Sequence, residues 1–191
     1  MVLKKHTKYK NKIAFALAYF FKFNIIFLVN YLKVSISIFL VLAASRFIPH
    51  PPNFTSLMAL SFYVPTLLGI RYLPALVISF IITDLIIGLH GITPFTWGSI
   101  ILIGLGSRFF ATTILNRIFG SLIGAGLFFI ITNFGIWTLG SYTYTFQGLL
   151  LCYTLAIPFF TYSLISTFVF SGIIESILKL NLINLKKLAN S

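Results

Sequence analysis

The sequence predicts an all-α fold: an integral membrane bundle of six transmembrane helices with both termini in the cytoplasm. Three observations predict it: the composition, the spacing of the apolar runs and the placement of the basic residues. Of 191 residues, 59% are hydrophobic and 8% are charged, and the mean hydropathy is +1.03. A soluble domain carries about 25% charged residues. A third of that does not cover a globular surface, so the chain needs an apolar solvent. At roughly 20 residues per crossing there is room for about six helices in one membrane domain.

The elements follow in order. Residues 1–12, MVLKKHTKYKNK, are basic and polar. A basic start ahead of an apolar run can mimic a signal peptide, but no small-residue cleavage site leads into a soluble domain, so cleavage is not expected. Residues 13–30 are mostly apolar but carry Lys22 and Asn24, and read as a helix lying in the interface rather than as an extra span. Spans are expected at 34–48, 55–70, 72–90, 97–113, 118–139 and 148–170. Breaks are expected at PHPPN (49–53), GIRYLP (69–74), HGITP (90–94), around Asn116 and Arg117, and at GSYTYTFQG (140–148). Proline or glycine marks each of these breaks except the one around Asn116 and Arg117, and Pro158 is expected to kink the sixth span. The tail 176–190 places Leu178, Leu182 and Leu185 at helical spacing beside Lys179, Lys186 and Lys187, the pattern of an amphipathic helix on the membrane surface. The expected organisation is therefore a basic N-terminus with an interfacial helix (1–33), a six-helix membrane domain (34–175) and a basic amphipathic tail (176–191).

Orientation comes from the basic residues. With the N-terminus inside and six spans, thirteen of the fourteen Lys and Arg residues fall on the cytoplasmic side and only Arg46 falls outside, as the positive-inside rule requires. A seventh span would carry a run of lysines across. The net charge of +12 then needs no nucleic acid, because the anionic inner leaflet of the lipid bilayer is a sufficient partner. The expected location is a bacterial inner membrane.

On that topology the polar residues gather at one depth. Arg46 ends the first span at the outer face, and His50 and Asn53 sit in the stiff proline loop that follows. Asp84 lies in the outer half of the third span and His90 caps it. Trp97 opens the fourth span, Asn133 and Trp137 lie in the outer part of the fifth, and Cys152 and Tyr153 begin the sixth. The inner half has no comparable set, so an outward-facing polar pocket is expected. A carboxylate within a span costs several kcal/mol unless it is paired or wet. Asp84 therefore either locks to Arg46 as a structural pair, meets a ligand, or does both. Asn133 and Trp137 are four apart and share a helix face, offering an amide and an aromatic plate. The candidate ligand-binding residues are Arg46, His50, Asn53, Asp84, Asn133 and Trp137.

Other features read as structural. Gly120 and Gly124 form a GxxxG suited to close helix packing, inside the protein or against a partner. Glu175 is expected to pair with Arg108 or Arg117. Trp97 and the tyrosines of GSYTYTF fit an outer aromatic belt. No catalytic motif is present, and the two carboxylates lie at opposite depths, so an enzyme is not expected. Neither a cofactor nor a metal site is expected, the three histidines being too scattered. The single cysteine, Cys152, excludes an internal disulfide.

Taken together, PHPPNF, TDLIIGLH (83–90), TNFGIW (132–137) and GLLLCYTLAIPFF (148–160) resemble a family of small, functionally uncharacterised bacterial integral membrane proteins over about residues 38–175. More loosely, size, span count and site depth are similar to the substrate-binding S components of energy-coupling-factor (ECF) vitamin transporters. That likeness implies capture of a vitamin-like micronutrient at the outer face, with membrane partner subunits supplying the energy. Span 1 departs from the scaffold-docking pattern of such components: it has Ser37, Ala43 and Ala44 but no clear AxxxA. The expected function is thus a small-molecule-binding component of a transporter. The alternative is a structural or assembly subunit without a soluble ligand, docking through the Gly120–Gly124 face.

Overall fold

The computed structural model describes residues 28–189, with side chains as far as Leu180. Among the described residues every regular element is helical. The helices are α1 (Leu28–Phe47), α2 (Leu57–Tyr63), α3 (Leu73–Ile87), α4 (Thr93–Gly106), α5 (Ile114–Thr138) and α6 (Phe146–Ala189). A π turn, Val64–Leu68, prolongs α2; 3₁₀ turns at Ile70–Tyr72 and Ser107–Phe110 lead into α3 and out of α4.

Four stretches are long and apolar enough to cross a membrane: Leu28–Phe47, Ile70–Ile87, Ile114–Thr138 and Phe146–Leu180. The protein is therefore a helical membrane protein. The two remaining helices are short. Leu57–Leu68 rises only about 18 Å at ~1.5 Å per residue, and α4 has 14 residues, against a hydrocarbon core of about 30 Å. All six expected segments fall on helices, but by length they divide into four long and two short ones.

The chain divides into two compact units, Met1–Ser37 and Ile38–Ser191. In the first, residues 28–37 are helical, and the hydroxyls of Ser35 and Ser37 donate to the carbonyls of Tyr31 (2.8 Å) and Lys33 (3.0 Å). The interfacial helix expected at 13–30 lies, up to Phe27, outside the described residues.

The second unit is built around α2, whose seven residues are all buried among α3, α4, α5 and α6. Pro65 brings no N–H to the helix ladder, and the backbone there widens into the π turn. Gly69, at φ 95°, ends it, a conformation that glycine adopts freely. Gly88, at φ 119°, ends α3 in the same way, with its N–H on the Asp84 carbonyl at 2.8 Å.

α5 presents its small residues inward. A Cβ at Gly120 would lie 2.6 Å from atoms of Phe62 and Phe110, and one at Gly124 would lie 2.9 Å from Ile103. The GxxxG therefore works inside the protein, letting bulky neighbours close onto the α5 backbone. On the adjoining strip Ser121 and Ser171 share a hydrogen bond of 2.9 Å between α5 and α6.

Several boundaries differ from expectation: α1 is already helical at Leu28, with no break ahead of residue 34, and α4 begins at Thr93, inside the expected HGITP break. The break expected around Asn116 and Arg117 falls earlier, because the Thr113 hydroxyl caps α5 by accepting from the Asn116 N–H at 3.1 Å. Asn116 and Arg117 thus belong to the first turn. α6 runs unbroken from Phe146 through Pro158 to Ala189, so the tail continues the sixth helix instead of starting a separate one.

Candidate ligand-binding cavity

At the C-terminal end of α1, Ile38 and Leu42 are buried, and Ser45 and Arg46 continue that face one to two turns on. The Ser45 hydroxyl meets that of Ser56 at 2.7 Å, which pins the start of α2 beside the end of α1. The proline loop between them folds back on itself. Asn53 takes the left-handed conformation, φ 62°, which asparagine tolerates better than most residues. The Phe54 N–H donates to the Pro51 carbonyl at 3.0 Å. His50 stands with Nδ1 2.7 Å from the Pro51 carbonyl oxygen and Nε2 3.3 Å from that of Arg46.

Asp84 faces Arg46 across the bundle. Arg46 Nη2 lies 2.6 Å from Asp84 Oδ1, and the indole of Trp97 donates to Oδ2 at 2.7 Å. Arg46 Nη1 donates to the Thr83 hydroxyl at 2.7 Å, which donates in turn to the Phe80 carbonyl at 2.8 Å. The guanidinium also lies 4.6 Å over the Phe80 ring, a favourable cation–π distance. A carboxylate only 2% exposed is tolerable here because both oxygens have charged or polar donors.

This pair forms part of the wall of a cavity of about 590 Å³. The ends of α1 and α3, the starts of α2 and α4, the last turns of α5 and the first half of α6 surround it. Successive helices run in opposite senses, so these ends lie together at one end of the unit. The two short helices begin at the cavity, with Leu57 and Met58 from α2 and Thr96 from α4. On α5, Asn133 reaches it with its Nδ2 donating to the Phe129 carbonyl at 2.8 Å. Asn133 borders the cavity, and no hydrogen bond among the described residues ends on its amide oxygen. On α6, Cys152 and Ser163 contribute polar atoms, and Phe160 stacks on Phe129 at 4.4 Å and 21°.

Five of the six residues read from the sequence line this cavity: Arg46, His50, Asn53, Asp84 and Asn133. Trp137 does not. Its indole donates to the Thr143 carbonyl at 3.0 Å and its ring packs on Phe134 and Tyr144, so it holds the loop between α5 and α6, and Ile136 faces the cavity in its place. Spacing of four from Asn133 was too coarse a guide, since neighbours at three and four diverge to either side of one face. Sequence reading missed Trp97 as the second partner of Asp84. The signal was available: thirteen residues spanning one tight turn return α4 alongside the Asp84 turn of α3.

The other carboxylate forms a second cluster away from the cavity. Arg117 grips Glu175 with two bonds, Nε–Oε1 and Nη2–Oε2, both 2.6 Å, and the Tyr63 hydroxyl donates to Oε1 at 2.9 Å. Of the two expected partners, Arg117 is therefore the one engaged. Among the described residues no three His, Cys, Asp or Glu side chains group to hold a metal ion.

Residues 13–188 match the family of unknown function DUF6580. No curated protein and no solved structure matches the chain.

Proposed function

The chain belongs to the DUF6580 family, and from its cavity we propose that it is the binding component of a small-molecule transport system. In this reading all six helices enter the membrane and both termini are cytoplasmic. The cavity opens to the outer face of a bacterial inner membrane. His50 and Asn53 rim the entrance, Asn133 fixes a polar edge of the ligand, and Arg46 with Asp84 sets the electrostatics of the wall. A membrane partner complex, as in the ECF systems that the layout resembles, drives release inside.

One observation carries the proposal. Polar side chains from five helices and the proline loop converge on a cavity of about 590 Å³ at one end of an otherwise apolar bundle. Ligand sites are typically clefts of about 300–1,000 Å³, mostly apolar with a few placed polar groups. A bundle that needed only to fold would fill that volume, because unfilled space weakens packing. The alternative, an assembly subunit docking through Gly120 and Gly124, loses its surface, since Phe62, Phe110 and Ile103 already cover that face.

Native mass spectrometry of the protein, expressed in its own host and gently extracted, tests the proposal. A retained small molecule of stoichiometric mass is expected. A protein that carries only lipid, or only a stoichiometric protein partner, contradicts it.

A further inference from the structure

Resting on that reading of the cavity, we infer that its ligand is an uncharged molecule built on an aromatic or conjugated ring. Charge gives the first half. Arg46 and Asp84 are the only Lys, Arg, Asp or Glu side chains in the wall, and at 2.6 Å their charges cancel. An ionic ligand would leave water for a low-dielectric site with no countercharge to receive it, which is strongly unfavourable. The pair is also asymmetric. The Asp84 side chain is 3% exposed and that of Arg46 is 14% exposed. Both Asp84 oxygens have partners, whereas Arg46 engages Asp84 and Thr83 through one contact each and has further N–H groups without an acceptor among the described residues. The ligand therefore meets donors, which suit a ring nitrogen or carbonyl, and across the cavity the Asn133 oxygen takes an N–H.

The wall gives the second half. Phe80, Phe128, Phe129, Phe159 and Phe160 are five of its 24 residues, against 22 phenylalanines in 191 residues, so the wall is enriched in phenylalanine even for this chain. Two of these rings, Phe129 and Phe160, already stack on each other, and ring contacts of this kind add to simple apolar burial.

Cys152, the chain's single cysteine, lines the cavity with its residue only 2% exposed and its thiol donating to the Asn133 carbonyl at 3.4 Å, so a reagent must enter the cavity to reach it. The full chain in lipid nanodiscs at pH 8 would be treated with four methanethiosulfonates: benzyl, n-hexyl, sulfonatoethyl (anionic) and trimethylammonioethyl (cationic). Each labelling rate is divided by that of the same reagent with 2-mercaptoethanol. The benzyl ratio is expected to exceed both charged ratios by at least about tenfold, and the hexyl ratio by several-fold. Asp84→Asn, which leaves Arg46 uncompensated, should raise the anionic ratio over the cationic one. Asn133→Asp, which leaves the ion pair intact, should do the reverse, and serves if the first variant does not fold. A charged reagent that matches benzyl in the unmodified protein, hexyl matching benzyl, or no labelling by any reagent overturns the inference. A cavity that prefers benzyl but retains no molecule from its host overturns the binding reading alone.

Discussion

Asp84 and Glu175 are the chain's two carboxylates, and each has an arginine and an aromatic donor: Arg46 and Trp97 for one, Arg117 and Tyr63 for the other. The ingredients match, but the arrangements differ. Arg117 closes on Glu175 with two arms of its fork, the geometry that makes guanidinium–carboxylate pairs strong, and neither residue borders the cavity. Arg46 gives Asp84 one contact and sends its other arm to Thr83, and both members of the pair stand in the cavity wall. A closed pair fastens α5 to α6. An open pair leaves donors facing a space that something else can fill. The same residue types thus make a fastener at one end and a wall at the other, and the presence of the cavity decides which.

The largest expected effect breaks the fastener. Glu175→Ala leaves the partly buried Arg117 without its carboxylate and should destabilise the protein by up to about 3–5 kcal/mol, read as denaturant unfolding in detergent. Replacing the whole cluster by Arg117→Met, Glu175→Leu and Tyr63→Phe should restore stability to within about 1 kcal/mol, since a well-packed apolar substitute for a buried pair is often neutral. A triple variant as unstable as the single one would show that the cluster does more than pair charges.

Next come the aromatic donors. Tyr63→Phe and Trp97→Phe each remove a hydrogen bond to a carboxylate, worth about 1.5–3 kcal/mol, so similar losses in unfolding free energy are expected. The contrast lies in binding: Trp97→Phe frees Asp84 Oδ2 beside the cavity and should weaken retention of the bound molecule, whereas Tyr63→Phe should not. Gly124→Leu follows, forcing side-chain atoms into Ile103. An overpacking loss of about 1–3 kcal/mol is expected in thermal unfolding. Smallest is Trp137→Phe, which leaves the cavity wall untouched; retention of the bound molecule should be unchanged and stability should fall by about 1 kcal/mol or less, the worth of the Thr143 hydrogen bond.

Much of this was legible in the sequence, and for physical reasons. Apolar run length and proline or glycine breaks located the helices, because no other regular structure satisfies a backbone in lipid without closing into a barrel. Asp84, Arg46 and Asn133 stood out because polar groups at such depth need partners. What was not legible depended on rotation and length. Trp137 sits one residue from Ile136, yet the two face different surroundings, and a periodicity argument does not resolve that difference. The early start of α5 rests on one capping hydroxyl, that of Thr113. The division into four long helices and two short ones depends on where the π turn, the 3₁₀ turns and the positive-φ glycines close each element, which the length of an apolar run does not give.

The most direct measurement compares the two ends in one experiment: native mass spectrometry of the protein from its own host, carrying Asp84→Asn, Asn133→Ala or Tyr63→Phe. Loss of the bound molecule from the first two variants and its retention by the third is the predicted result. A bound molecule that survives both cavity variants, or that is lost equally from the Tyr63 variant, would contradict the assignment of the cavity end as the binding site.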